Sequence, residues 1–250
     1  MNYWELMSRG TFFDSSKVER TMKIQGLQKM TLLDYPGHVA CTVFLGGCDF
    51  RCPFCHNFDL VVGPMPEAMS EDEFFAFLDK RHGLLDGVAI TGGEPCLRTD
   101  LPDFIARIRE AGFLVKLDTN GYHPAMLRRL IEERLVDYVA MDIKNSPGKY
   151  AQTCGLPRID LDLIDESISL LMGSSVPYEF RTTVVRELHE ARDFEEIGKW
   201  IEGADAYFLQ AFTSRDTVPD PTLSAPEPAA LRKFSDIVSR YVKVAEVRGA

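Results

Sequence analysis

The chain has 250 residues, 45% of them hydrophobic and 26% charged, a composition that supports a buried core and excludes disorder, collagen or coiled coil as the main structure. Its 38 acidic against 28 basic residues leave a net charge of -10, a field that repels nucleic acid and anionic membrane surfaces, so neither is expected as a partner. No apolar run reaches the roughly 18 residues that a membrane-spanning helix needs.

Residues 1–21 mix aromatic, polar and charged types without a sustained period and read as an N-terminal extension, with Met22 the expected start in place of Met1. The intact mass of the native protein checks this. The opening lacks the basic-then-apolar order of an export signal, which makes the cytoplasm the expected location. From Val39 onward, short β-branched or aromatic runs alternate with segments of helical period, the pattern of βα units around a parallel sheet. Strands are predicted over 39–45, 87–91, 114–118, 138–143, 178–185 and 206–211.

Helices are predicted between them. After the second strand, Leu101, Phe104, Ile105 and Ile108 fall at helical spacing with Asp103, Arg107, Arg109 and Glu110 between, which gives one buried stripe. Asp100 is the expected N-cap, Pro102 sits in the first turn, and Gly112 is the expected stop. Segments 70–80, 124–133, 161–172 and 194–201 read as helices on the same grounds. A Pro-rich linker covers 218–228, and an amphipathic helix follows over roughly 229–242. Six βα units with right-handed crossovers curl into a partial (β/α)6 open barrel of parallel strands with outer helices over 22–217. The linker and last helix, 218–250, are expected to pack on the same domain, and functional residues to sit in the loops just after the strands.

Three of the six cysteines, Cys48, Cys52 and Cys55, lie within eight residues directly after the first predicted strand, spaced Cys-x3-Cys-x2-Cys. In a reducing compartment such a cluster reads as metal binding or redox chemistry rather than disulfides. Structural zinc takes four protein ligands, and no second Cys-x2-Cys pair follows; His56 as a fourth ligand is the remaining zinc reading. A cubane iron-sulfur cluster usually takes four cysteines. Three leave one iron open to a substrate or cofactor. Cys41 and Cys154 read as small buried hydrophobes, Cys96 has no assigned task, and His38, His82, His123 and His189 are scattered without ligand spacing.

The order Cys48-Asp-Phe-Arg-Cys52-Pro-Phe-Cys55 after a first strand resembles the signature of the radical S-adenosylmethionine superfamily. Thr91-Gly-Gly-Glu-Pro95 resembles its Gly-Gly-Glu-Pro motif. Asp118-Thr-Asn-Gly121 and Met141-Asp-Ile-Lys144 are similar to segments of its glycyl-radical-activating branch, and Arg181-Thr-Thr-Val-Val185 and Gln210-Ala-Phe212 close the fifth and sixth strands. The lead-in Leu33-Asp-Tyr-Pro-Gly37 ahead of Val43-Phe-Leu-Gly-Gly-Cys48, with Cys55-His-Asn57 after it, looks like that of activating proteins of anaerobic ribonucleoside-triphosphate reductase.

The resemblance implies that Cys48, Cys52 and Cys55 hold a single [4Fe-4S] cluster whose open iron is chelated by S-adenosylmethionine. Reductive cleavage then yields a 5'-deoxyadenosyl radical that takes a hydrogen atom from a glycine of a partner glycyl radical enzyme. By the same resemblance Phe54 and His56 border the adenine, while Gly92, Gly93 and Glu94 hold the methionyl amino end. Asp142 and Lys144 sit beside the carboxylate and the incoming peptide. Asp118 helps place the carboxylate, in some relatives through a monovalent cation. The implied electron donor is flavodoxin or ferredoxin. Two other readings are a radical enzyme acting on a small molecule, such as a deazapurine-forming member, and a zinc-binding interaction module.

Overall fold

The computed structural model describes residues 22–63 and 66–249, so the expected extension over 1–21 lies outside the described residues. Their strands form one eight-stranded sheet in sequential order: β1 (Gly26–Thr31), β2 (Ala40–Leu45), β3 (Gly87–Gly92), β4 (Leu114–Thr119), β5 (Tyr138–Asp142), β6 (Tyr178–Val184), β7 (Tyr207–Ala211) and β8 (Ala245–Arg248). Every pairing from β2 to β8 is parallel, β1 runs antiparallel to β2, and β1 and β8 form the two edges of the open sheet. The six predicted strands are β2 to β7. The two added strands carry weak signals: β1 reads Gly-Leu-Gln-Lys-Met-Thr with three exposed residues, and β8 is four residues long.

The main outer helices are α1 (Phe58–Val62), α2 (Glu71–Asp79), α3 (Leu101–Glu110), α4 (Pro124–Glu132), α5 (Tyr150–Thr153), α6 (Leu161–Gly173), α7 (Ala191–Trp200) and α8 (Pro228–Val238). Local chemistry explains their ends. Ser70 and Glu73 close a reciprocal capping box on α2, and Glu190 and Asp193 do the same on α7. Gly112, at φ +85°, follows α3 where L side chains are strained, as the predicted stop requires. Asp100 stands before α3, but its carboxylate accepts from Arg98 at 3.0 and 2.7 Å and makes no cap hydrogen bond. A bidentate charge-assisted pair two residues away outcompetes the weaker bond to a backbone amide.

Two layers of side chains follow from strand alternation. On β2, Cys41, Val43 and Leu45 are fully buried, and on β4 so are Val115 and Leu117; these belong to the same apolar core as Phe104, Ile105 and Ile108 of α3. The opposite face is polar. Thr42, Asp118, Asp142, Arg181 and Thr183 line one cavity there. The tail folds onto this frame: Phe234 of α8 stacks on Phe194 of α7 with ring centroids 4.4 Å apart, and β8 pairs with β7. Among the described residues, no helix is long and apolar enough to cross a membrane.

Candidate active site

Parallel register brings distant motifs to one edge. Leu45 pairs with Gly92, Asp118 with Ala140, Asp142 with Arg181 and Thr183 with Gln210, so the C-terminal ends of β2 to β7 converge on a cavity of about 540 Å³. Its walls include Cys48, Cys52, Phe54, Cys55, His56, Gly92, Gly93, Asp118, Asp142 and Lys144.

The cysteine loop is held from three sides. Gly47 N–H donates to Leu60 O at 2.8 Å, Arg51 N–H to Cys154 O at 2.8 Å, and Asp220 N–H to Pro53 O at 3.1 Å. His56 lies parallel to Phe212 with centroids 5.5 Å apart, and its Nε2 is 2.7 Å from Thr213 O. The Pro-rich segment predicted as a linker therefore supports this loop. Burial pushes the Cys48 thiol up to about 12 and raises Cys55. Cys52 differs, because a hydrogen bond from the Cys154 thiol lowers it, while burial and the same bond raise Cys154. Cys154, read from sequence as an isolated core residue, thus backs one member of the cluster.

Opposite the loop, five charges alternate in one line: Lys116, Asp118, Arg181, Asp142, Lys144. Lys116 Nζ donates to Asp118 Oδ1, Arg181 reaches Asp118 Oδ2 at 3.4 Å and Asp142 Oδ1 at 3.0 Å, and Lys144 Nζ meets Asp142 Oδ2 at 2.8 Å. Burial alone would raise Asp142, but Lys144 and Arg181 beside it hold it at about 2. Burial likewise opposes the ionised form of Asp118, and Arg181 and Lys116 overcome it. Burial would lower Lys144, yet Asp142 and the cysteines keep it protonated, well above an ordinary lysine. The backbone carbonyl of Lys144 is met by Nε2 of buried His189 at 3.0 Å, which fixes where the lysine starts.

Gly92 and Gly93 form the third wall. A Cβ on Gly92 would stand 2.2 Å from Leu45 O, and one on Gly93 would stand 2.0 Å from Gly47 O, so both positions need glycine to bring the β3 end against the cysteine loop. The neighbouring Glu94 is turned inward and does not line the cavity. Its carboxylate takes the Cys96 N–H at 2.9 Å, the Thr119 hydroxyl at 2.8 Å and the Asn120 N–H at 2.6 Å. Buried beside it, Cys96 faces this carboxylate rather than the cavity.

Residues 42–201 match the family model described as the radical SAM superfamily. The chain belongs to the radical S-adenosylmethionine superfamily. A protein of Methanocaldococcus jannaschii named a glycyl-radical enzyme activating enzyme is 32% identical over 231 residues, covering 90% of this chain and 95% of that one, which places the chain in the activating branch. The pyruvate formate-lyase-activating enzyme of Listeria monocytogenes is 32% identical over 144 residues, 51% of this chain and 56% of that one. Among solved structures, Streptococcus suis SuiB bound to S-adenosylmethionine superposes with a TM-score of 0.64 at 12% identity over 84% of this chain and 52% of that one, a likeness of fold.

Radical SAM membership implies a [4Fe-4S] cluster and S-adenosylmethionine, and the donor set fits both. Three thiols share one loop on the cavity wall, the donor number that leaves one iron of a four-iron cluster open to a further ligand. Beside them lie a glycine-only wall that lets a ligand approach backbone and a protonated lysine suited to a carboxylate. Sequence reasoning named Arg181 and Asn120 only as members of strand-end segments and gave neither a role, and it did not foresee the pairing of His123 with Asp49 at 2.9 Å behind the loop. Only the pairing of β5 with β6 sets Arg181 beside Asp142.

Proposed function

We propose that the chain is a radical SAM activating enzyme that makes a glycyl radical on a partner enzyme, the anaerobic ribonucleoside-triphosphate reductase, with electrons from flavodoxin or ferredoxin in the cytoplasm. The observation that carries this reading is the near full-length match to an activating-enzyme relative, reached from a chain whose three loop cysteines and strand-end motifs line one cavity. When bound, the cluster and cofactor together supply one-electron cleavage of a carbon-sulfur bond and hydrogen-atom abstraction.

The protein's own residues supply the rest. Cys48, Cys52 and Cys55 hold the cluster, and the Gly92-Gly93 backbone lets the methionyl amino end come close. Glu94 works from behind, fixing Thr119 and Asn120 through its inward carboxylate. Lys144 presents a permanent positive charge to the cofactor carboxylate, with Asp142 orienting it. Phe54 and His56 border the adenine, His56 held flat by Phe212. A monovalent cation beside Asp118 would share that carboxylate with Lys116 and Arg181.

Anaerobically reconstituted protein should show a [4Fe-4S] electron paramagnetic resonance signal that shifts on adding S-adenosylmethionine, with 5'-deoxyadenosine formed. Co-incubation with the reductase should yield a glycine-centred radical. Deoxyadenosine formed with no radical on the reductase would move the reading to another substrate; a colourless, zinc-loaded protein would remove it altogether. Lys144→Ala takes a counter-charge from Asp142 and should lower the unfolding midpoint; in protein confirmed as folded it should lower deoxyadenosine formation by about ten- to a hundredfold, the equivalent of losing one hydrogen bond to a charged group at about 1.5–3 kcal/mol. Unchanged turnover would take Lys144 out of the site.

A further inference from the structure

Behind the cysteine loop runs a line of polar contacts that cofactor binding leaves unexplained. Asn120 is 5% exposed, and its own turn uses two of its groups: the backbone N–H donates to Glu94 Oε2 at 2.6 Å, and Oδ1 accepts the Tyr122 N–H at 2.9 Å. The side-chain amide nitrogen remains, with two hydrogens to place. It stands 3.1 Å from Asp49 Oδ1 and 3.9 Å from Cys48 Sγ. The second oxygen of Asp49 is taken by His123 Nε2 at 2.9 Å. Asp49 therefore has a partner on each oxygen, and the nearer one fixes the rotation of the Asn120 amide.

Cys48 Sγ has a second donor in the Phe50 N–H at 3.4 Å, while its own thiol hydrogen points to Asp49 Oδ1 at 3.9 Å. As a cluster thiolate it has no hydrogen to give. The Asp49 contact then ceases to be a bond, and the two N–H groups are what face the sulfur. Reduction adds an electron whose charge spreads onto the ligand sulfurs, so each N–H aimed at a sulfur stabilises the reduced cluster more than the oxidised one and raises its potential.

We propose that Asn120 is a positioning residue for the iron-sulfur cluster: its side-chain amide, aimed by the Asp49 and His123 pair, donates to Cys48 Sγ and sets the reduction potential. This rests on the reading that Cys48 is a cluster ligand. A serine at this position retains an oxygen for the Tyr122 N–H, preserving the turn, but is too short to reach the sulfur. That separates the donor from the structural role.

The test is a potentiometric titration of the reconstituted cluster, followed by electron paramagnetic resonance without S-adenosylmethionine, in the wild type, Asn120→Ser and His123→Ala. Asn120→Ser should move the midpoint to more negative potential with iron content and melting temperature unchanged. His123→Ala should give a smaller shift of the same sign. An unchanged midpoint in Asn120→Ser overturns the assignment, and so does a larger shift in His123→Ala, which would trace the effect to net charge. Should Asn120→Ser not fold, the wild type decides: with asparagine labelled with 15N at the side-chain amide alone, which leaves the Asn57 backbone N–H beside Cys55 unlabelled, the reduced cluster should show hyperfine coupling to 15N, and its absence overturns the proposal. A wild type with no [4Fe-4S] signal would remove the cluster reading itself.

Discussion

Arg181→Leu should destabilise the protein by about 3 kcal/mol at neutral pH, the low end of the cost of removing one partner from a buried ion pair, because Asp118 keeps Lys116 and Asp142 keeps Lys144. Two carboxylates are left here, since the guanidinium bridges Asp118 and Asp142 with its side chain only 12% exposed. Lysine should not rescue it, because one ammonium cannot span both carboxylates as a planar guanidinium does. The penalty has a pH signature. In the wild type Asp142 is held at about 2, below its unfolded value of about 3.9, so its contribution is complete above about pH 4 and is lost as the pH falls towards 2. Without Arg181, burial is opposed by less positive charge, and both carboxyls bind protons more readily. The gap between wild type and variant should therefore narrow on acidification. Urea midpoints at pH 7 and pH 3 measure it, and a gap that is absent or independent of pH would show that Arg181 is not the bridge.

Gly93→Ala should be nearly as damaging, for a steric reason. The new methyl would sit 2.0 Å from Gly47 O and 2.7 Å from Gly47 C, both backbone atoms that cannot rotate away. Relief requires the β3 end and the cysteine loop to separate, breaking the Glu94 N–H bond to Gly47 O at 2.7 Å and displacing Cys48 next to it. Overpacking of this kind costs about 1–3 kcal/mol. The expected result is a lower unfolding midpoint together with iron content well below that of the wild type after reconstitution. A variant that retains full iron and the wild-type midpoint would mean that this contact is not required.

The two variants probe parts of the site that differ in how they could be read. The Cys48, Cys52 and Cys55 spacing and the Gly92-Gly93 pair lie in short stretches of chain, where local order already implies nearness. Arg181 lies 39 positions from Asp142 in the sequence and becomes its neighbour only through the pairing of β5 with β6. Lys116 and Asp118 look like ordinary alternation in a strand until the sheet curls their face inward.

By itself the sequence determined the six central βα units, because hydrophobic periodicity and turn residues act over a few positions, and it determined the cysteine loop for the same reason. Tertiary structure decided what surrounds that loop: the edge strands β1 and β8, Cys154 against Cys52, Glu94 turned inward, the charge line through Arg181, and Asn120, Asp49 and His123 behind Cys48. Each of those contacts joins residues far apart in the chain, and their energies come from pairing buried charges and polar groups. Such pairing exists only once the strands are in register.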